Sequence, residues 1–199
     1  MKSKAENIAV LILAAGASTR MGSIKQLLPW AKTNLLGHAI EQAKNITEHV
    51  YVVLGANASI IKTNLDKEVI AILNSDWQHG MGASIAKGIL EINNRKLFEN
   101  VLIMLSDQPL LDSNYLAKLV KCHQNTTQNI CATNYNGKSG VPAIFNTLYF
   151  SQLAELNAEY GAKELLRNSV DDTFVIDSNG KAIDIDTPEA YQLLLNQNV

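Results

Sequence analysis

The chain has 199 residues, of which 47% are hydrophobic and 18% charged, and its formal net charge is −2. These values predict one globular domain over residues 1–199 and give no support for binding to nucleic acid or to a membrane surface. Any phosphate must therefore be bound by a local arrangement. The two cysteines, Cys122 and Cys131, form no disulfide framework. Because we find no signal peptide and no membrane-spanning run, we expect reduced thiols in a cytoplasmic protein.

Short apolar runs alternate along the first 124 residues with amphipathic stretches of helical length. The unbroken apolar runs predict strands at residues 8–13, 50–54, 69–73 and 101–105. Apolar residues at helical spacing predict helices at residues 35–45, 58–65, 83–93 and 113–124. Strands that are apolar on both faces suit a parallel sheet with helices on each side. The alternation therefore predicts a three-layer, Rossmann-like α/β fold with a mostly parallel central sheet.

The pattern changes after residue 125, where the predicted elements become shorter. Strands are predicted at residues 130–133, 141–145, 174–176 and 182–185. Helices are predicted at residues 148–156 and 162–168, with a last one beginning at Pro188. The dipeptides Asn136-Gly137 and Asn179-Gly180 are typical of tight turns, and the second predicts a β-hairpin. We expect this half of the chain to complete one edge of the same sheet.

The first predicted strand runs into a loop of small residues, Leu-Ala-Ala-Gly-Ala-Ser-Thr-Arg-Met-Gly at residues 13–22, and Lys25 follows shortly. Small side chains let backbone N–H groups approach a ligand, and open α/β sheets bind ligands at the carboxyl ends of their strands. With the cations Arg20 and Lys25, these groups suit a triphosphate. Alternatively, Gly16 and Gly22 are turn glycines and the cations are solvated. The loop lacks the G-x-G-x-x-G and Walker spacings, which disfavours dinucleotide-binding and P-loop interpretations.

A second loop follows the third predicted strand and leads into a helix whose first residues are small. Its N–H groups and the Ser84 hydroxyl could hydrogen-bond the edge of a base. Alternatively, Ser84 is an interior helix residue and Trp77 is a core anchor. The residues alone leave these two interpretations open.

Carboxylates lie at the ends of two predicted strands. Asp107, in Ser-Asp-Gln-Pro, comes directly after the fourth strand, where a hard oxygen ligand suits Mg²⁺. Asp184 and Asp186 would lie on one face of an extended segment, where both could complete a metal site with Asp107. Alternatively, Asp107 caps the following turn, and Asp186 or Thr187 caps the final helix.

Together these motifs resemble the MobA-like NTP transferases that mature the molybdenum cofactor, and the cytidylyltransferase branch in particular. The resemblance is carried by residues 13–22, by Lys25 and by Leu-Leu-Pro at residues 27–29, and the later motifs follow in the family's order as far as residue 195. It implies a nucleotidyltransferase fold in one domain. The N-terminal half would bind the NTP and the C-terminal half the acceptor.

The resemblance also implies an activity. CMP would pass from CTP to a phosphorylated acceptor, molybdopterin, with release of pyrophosphate and with Mg²⁺ as cofactor. A molybdoenzyme or a maturation partner would receive the product. Catalytic roles fall on Lys25, Arg20 and Asp107, and the metal ligands would be Asp107 and Asp186. Nucleotide contacts fall on Leu13, Ala14, Ala15, Gly16, Arg20, Lys25, Gly80, Met81 and Ser84.

Three positions bear on the substrates. Guanylyltransferases of the family usually have glycine where this chain has Ala15, so the extra methyl group associates the chain with CTP. Val141 stands where many relatives have histidine. Lys163 replaces an arginine and loses its planar fork. These departures leave open a guanylyltransferase, or a cytidylyltransferase for another phosphorylated acceptor such as methylerythritol phosphate. A non-catalytic nucleotide-binding module is disfavoured, because a pure binder need not keep metal carboxylates.

Overall fold

The computed structural model describes residues 5–135, 137–157 and 161–198. The strands in these ranges are β1 (Ile8–Ala14), β2 (Pro29–Trp30), β3 (Thr33–Asn34), β4 (Val50–Leu54), β5 (Ile70–Leu73), β6 (Asn100–Leu105), β7 (Ile130–Tyr135), β8 (Lys138–Asn146) and β9 (Thr173–Asp177). Seven strands form one sheet in the order β5-β4-β1-β6-β8-β7-β9, and β2 pairs with β3. Within the sheet β8 alone runs against its neighbours, so the mostly parallel sheet is confirmed.

Helices cover both faces of this sheet. They are α1 (Leu35–Lys44), α2 (Ala58–Thr63), α3 (Met81–Asn94), α4 (Ser113–Asn125), α5 (Phe150–Ala154), α6 (Lys163–Asn168) and α7 (Pro188–Asn198). In β1, Val10 and Ile12 pack in the cluster with α1, α2 and α4, whereas Leu11 and Leu13 pack in the cluster with α3, α5 and α6. Alternate side chains of a buried strand thus serve two cores, which gives the three-layer α/β fold.

Side-chain caps fix where several helices begin. Asn34 Oδ1 accepts from the Gly37 amide at 2.8 Å before α1, and Asp112 Oδ1 accepts from the Tyr115 amide at 2.9 Å before α4. Thr187 Oγ1 accepts from the Ala190 amide at 3.3 Å at the start of α7. The predicted start of the final helix at Pro188, with Thr187 as its cap, agrees with the structure.

The predicted hairpin around Asn179-Gly180 is wrong. The turn forms, with positive φ at both residues, but β9 pairs in parallel with β7 and residues 181–186 form no strand. Instead, the Ile185 amide donates to the carbonyl of Asp107 at 3.0 Å. The Ile185 side chain explains this path, because it is fully buried in an apolar cluster with Met21 and Tyr191 and does not pack beside β9.

A third apolar cluster joins the two ends of the chain. It contains Met21 from the loop after β1, Ile185, and Tyr191 and Leu194 from α7. The Tyr191 hydroxyl donates to the carbonyl of Pro29 at 2.6 Å. The C-terminal helix therefore packs directly behind the loop after β1.

The predicted turn residue Asn136 lies outside the described residues, and so do residues 158–160, which come shortly before Lys163 in the sequence. Lys163 itself begins α6 and is exposed. Both cysteines are free thiols, with Cys131 buried. No helix within the described residues is both long and apolar enough to span a membrane.

Candidate active site

A cavity of about 450 Å³ opens at the carboxyl edge of the sheet, between the loops that follow β1, β5 and β6. Every residue predicted for the site lies in its lining: Leu13, Ala14, Ala15, Gly16, Arg20, Lys25, Gly80, Met81, Ser84, Asp107 and Asp186. These residues come from four separate stretches of sequence. The fold brings them together because β1, β5 and β6 are parallel and end at the same edge.

Lys25 is the centre of the charged side of the cavity. Its Nζ lies 2.5 Å from Asp107 Oδ2 and 3.2 Å from Asp186 Oδ1. Burial lowers the pKa of Lys25, but the two carboxylates raise it by more, so the ammonium group stays charged. One cation therefore bridges two carboxylates that lie far apart in sequence.

Arg20 lies at the solvent side of the same group. Its guanidinium is 3.1 Å from Asp186 Oδ2, and the two side chains are 70% and 40% exposed. An ion pair this exposed contributes little to folding stability, about 1 kcal/mol at most. The guanidinium is thus free to exchange Asp186 for a phosphate at little cost.

Asp107 is largely buried and has one oxygen without a partner among the described residues. Burial raises the pKa of this carboxyl above its usual range, although Lys25 lowers it. Its Oδ1 is buried and accepts no hydrogen bond from any described residue. A buried carboxylate oxygen without a partner is costly, so it marks a place where a ligand or an ion would be stabilising.

The donor set suits a divalent cation that keeps few protein ligands. The described residues hold no group of three or more His, Cys, Asp or Glu side chains placed around one point. Asp107 and Asp186 are the two carboxylates that share Lys25. Mg²⁺ typically takes one or two carboxylates and fills its remaining positions with water and phosphate oxygens, so these residues fit it.

Asp184 does not join that carboxylate pair. Its Oδ1 accepts from Gln108 Nε2 at 2.7 Å, and Gln108 Nε2 also contacts the Tyr135 hydroxyl. The Tyr135 hydroxyl in turn donates to the carbonyl of Val141. Asp184 and Gln108 therefore connect the segment before α7 to β7 and β8, which belong to the half of the chain that was predicted to bind the acceptor.

The opposite wall of the cavity is formed by the loop after β5 and the start of α3. Ser84 is buried, and its Oγ accepts from Asn74 Nδ2 at 3.1 Å, which leaves the hydroxyl proton to donate elsewhere. Met81 is partly exposed. Trp77 lines the cavity and also packs against the second core cluster, so it fits both interpretations considered from the sequence.

Gln26, which follows Lys25, was not among the residues predicted for the site. Its side chain is only 3% exposed and hydrogen-bonds the carbonyls of Ala14 and Gly16. A polar residue directly after a predicted functional lysine is a weak signal, since its bonds depend on a loop conformation that periodicity does not encode. Gln26 is a structural element of the site that becomes apparent only in the folded protein.

An α/β sheet whose carboxyl edge carries small-residue loops, two cations and two acidic side chains defines a nucleotide-binding architecture. Comparison with known families agrees with this class. The model of the MobA-like NTP transferase domain matches residues 10–173, and the chain belongs to that family.

Curated relatives differ in how much of their length the chain covers. It is 33% identical over 118 residues to the bifunctional protein GlmU of Pseudomonas fluorescens, a match over 58% of this chain and 25% of GlmU. The chain thus spans about a quarter of the GlmU relatives that it matches. It is 25% identical over 196 residues to the purine catabolism protein PucB of Bacillus subtilis, covering 92% of this chain and 94% of PucB.

Among solved structures, Rv0371c of Mycobacterium tuberculosis superposes with a TM-score of 0.83 at 26% identity, over 98% of this chain and 100% of that one. The same Mycobacterium protein in complex with manganese gives a TM-score of 0.75 at 24% identity, over 97% and 100% of the two chains. The likeness covers almost the whole length of the chain.

Proposed function

We propose that the protein is a cytidylyltransferase that moves CMP from CTP to a phosphorylated acceptor, molybdopterin, and releases pyrophosphate. An oxygen of the acceptor phosphate attacks the α-phosphorus of CTP. The bond from that phosphorus to the bridging oxygen of the β-phosphate breaks, and its electron pair leaves with pyrophosphate. The attacking phosphate is already an oxyanion at neutral pH, so no general base is needed.

The observation that carries the proposal is the convergence on Lys25. Asp107 and Asp186 come from two segments far apart in sequence, and both contact Nζ of this lysine. Arg20 adds a second cation against Asp186. A group that positions two cations and two carboxylates beside small-residue loops suits a reaction driven by charge stabilisation, which is the case in phosphoryl-centre transfer.

Each residue of the donor side has a task in this scheme. The amides of residues 14–16 bind the triphosphate and approach the base. Lys25 stabilises negative charge on the α-phosphate, and Arg20 stabilises charge on the departing pyrophosphate. Gly80, Met81 and Ser84 lie on the opposite wall and would contact cytosine, with the Ser84 hydroxyl as a donor.

Asp107 and Asp186 would hold a divalent cation, Mg²⁺ in this proposal. When bound, such an ion supplies positive charge that neutralises phosphate oxygens. The charges of the site support this need: the two cations and the two carboxylates cancel, so a triphosphate requires further positive charge. The manganese complex of Rv0371c is in keeping with a divalent ion in a similar fold.

The preference for CTP rests on Ala15, which is 7% exposed and lines the cavity. Molybdopterin as acceptor rests on the family. The departures at Val141 and Lys163 keep two alternatives in view, a guanylyltransferase and an enzyme that uses another phosphorylated acceptor. Val141 is half-buried beside Tyr135, which places it near Gln108 rather than near the donor loop.

Pyrophosphate release tests the proposal. The protein is incubated with Mg²⁺, molybdopterin and either CTP, GTP or ATP in parallel. We expect pyrophosphate to be released fastest with CTP. If no pyrophosphate is released with any of these triphosphates and any acceptor, the assignment as an enzyme is rejected and a nucleotide-binding module remains. Equal rates with CTP and GTP would remove the argument from Ala15, and release only with methylerythritol phosphate would replace the acceptor.

The base preference has a direct test in Ala15→Gly. Removing the methyl group enlarges the cavity at this point, so we expect the ratio of kcat/KM for GTP to that for CTP to rise. One methyl group in a pocket discriminates by roughly 10-fold or somewhat more, which sets the scale. Ala17→Gly, a change of the same size in the same loop, should affect both triphosphates alike and leave this ratio unchanged.

A further inference from the structure

Gln26 is buried, and among the described residues its side chain bonds only to the last residue of β1 and to the loop that follows it. Its Nε2 donates to the carbonyl of Ala14 at 3.1 Å and to the carbonyl of Gly16 at 3.0 Å. Its Oε1 accepts from Ser18 Oγ at 3.2 Å. The side chain is 3% exposed, so its amide is fully committed to holding this loop.

The hydroxyl of Ser18 extends the same network. Ser18 Oγ accepts from the Lys25 amide at 3.2 Å, while its own proton goes to Gln26. Ser18 also has a positive φ of 57°, a conformation that a residue with a side chain rarely adopts without support. Gln26 and Ser18 therefore close a ring between the loop and the turn that carries Lys25.

The geometry of the peptide bond determines which way the backbone amides of this loop point. In a trans peptide the C=O and the following N–H point in opposite directions. Because the carbonyls of Ala14 and Gly16 face Gln26, the amides of Ala15 and Ala17 face away from it. Gly16, which lies between these amides, is exposed above the buried glutamine, and all three residues line the cavity.

We infer that Gln26 is a positioning residue that aims the amides of Ala15 and Ala17 at the phosphates of the nucleotide. It acts through the loop and does not touch the ligand. This inference rests on the proposed function and adds to it the residue that sets the loop conformation. Preorganised donors bind more tightly, because the loop does not have to be ordered when the ligand arrives.

The test uses inorganic tripolyphosphate, which carries the phosphates without base or sugar, and cytidine, which carries base and sugar without phosphates. Both are titrated calorimetrically into the wild type and into Gln26→Met, an apolar replacement of similar length. We expect the dissociation constant for tripolyphosphate to rise roughly tenfold, the scale of one or two lost polar interactions. We expect cytidine binding to be unchanged. Gln152→Met, at an exposed glutamine outside the cavity, is the control and should bind both as the wild type does.

Turnover separates positioning from a merely structural role. We expect the KM for CTP of Gln26→Met to rise with kcat changed by no more than about twofold. A general loss of structure would instead lower kcat and weaken cytidine binding together, and that result would overturn the inference. Should Gln26→Met not fold, Ser18→Ala removes the neighbouring hydroxyl and should weaken tripolyphosphate binding selectively, though by less.

The two proposals fail in different ways. A wild type that binds neither tripolyphosphate nor CTP would reject the proposed function and, with it, this inference. A wild type that binds both, with Gln26→Met and Ser18→Ala indistinguishable from it, would reject the positioning role alone.

Discussion

Lys25 and Asp107 form the shortest ion pair of the cavity, with Nζ 2.5 Å from Oδ2, although 82 residues separate them in the sequence. Both side chains are largely buried, at 14% and 16% exposure. Water screens such a pair far less than a surface pair, so each partner holds the other in place. The opposite oxygen of Asp107 stays without a partner in the described structure, which points to a ligand that completes the group.

Replacing the carboxylate of Asp107 tests its role. Asp107→Asn keeps the size of the side chain but removes the charge that a metal ion requires. We expect kcat/KM for pyrophosphate release to fall by at least about 10²-fold, the scale of removing one strong electrostatic contact at a reacting centre. Asp171→Asn changes an exposed acidic residue outside the cavity and should leave activity unchanged. Activity of Asp107→Asn at the wild-type level would remove the metal assignment.

Gly16 and Gly55 separate binding from stability. A Cβ at Gly16 would meet nothing within 4 Å, so Gly16→Ala should change the free energy of unfolding by no more than about 0.5 kcal/mol. It would, however, place a methyl group on the loop that faces the phosphates, so we expect weaker CTP binding. The two effects are read from urea unfolding and from calorimetric titration.

Gly55→Ala should behave in the opposite way. A Cβ there would lie 2.5 Å from Trp77 Cβ and 2.7 Å from the carbonyl oxygen of Ala15. Both are positions that cannot move without shifting backbone, so we expect a loss of about 1–3 kcal/mol in the free energy of unfolding. If Gly16→Ala and Gly55→Ala gave equal unfolding curves, Trp77 and Ala15 would have to pack less tightly around Gly55 than the structure shows.

Ile185 anchors the segment that carries Asp186. It is fully buried in the third cluster with Met21 and Tyr191. Ile185→Ala should lower the free energy of unfolding by about 2–5 kcal/mol, the range for a large buried aliphatic side chain. Ile183→Ala, two residues earlier and 41% exposed, is the matched control and should cost no more than about 0.5 kcal/mol. Similar costs for both would mean that the segment is packed in another register.

The strands of the first half could be predicted because their signal is local. Strands β1, β4 and β6 are unbroken apolar runs, buried on both faces, and glycine or polar residues end them. Since the loops after parallel strands meet at one sheet edge, the sequence also indicated which loops would share the site. All the residues predicted for the site line one cavity, while their roles remain predictions.

The remaining features depend on contacts distant in sequence. Residues 182–185 alternate like a strand, but Ile185 is buried against α7 and against Met21. Because Met21 lies more than 160 residues earlier in the chain, tertiary packing overrides the local pattern here. Asp184 and Asp186 were expected to act together. Instead, Gln108 hydrogen-bonds Asp184 and Lys25 hydrogen-bonds Asp186. These different partners depend on where the segment lies relative to β6, which the local sequence does not encode.

The cap of α4 gives a prediction with a defined pH dependence. Asp112 Oδ1 accepts from the Tyr115 amide at 2.9 Å, and Oδ2 lies 3.1 Å from Lys181 Nζ. Burial raises the pKa of Asp112, but these bonds lower it by more, so its value in the folded state lies below the usual 3.8. A carboxyl group with a lowered pKa stabilises the fold above its unfolded-state pKa, and this stabilisation is lost as the pH falls through the folded-state value.

Asp112→Asn tests this sign, because asparagine can still cap the helix but carries no charge. We expect it to lower the free energy of unfolding by no more than about 1 kcal/mol at neutral pH, since the side chains of Asp112 and Lys181 are 38% and 46% exposed and water screens the pair. Urea unfolding at neutral pH and at a pH below 3.8 should show the difference from wild type shrinking in acid. Asp112→Ala also removes the cap and should remain less stable than the asparagine variant at both pH values. A cost of Asp112→Asn that stays constant with pH would assign the effect to cap geometry and not to charge.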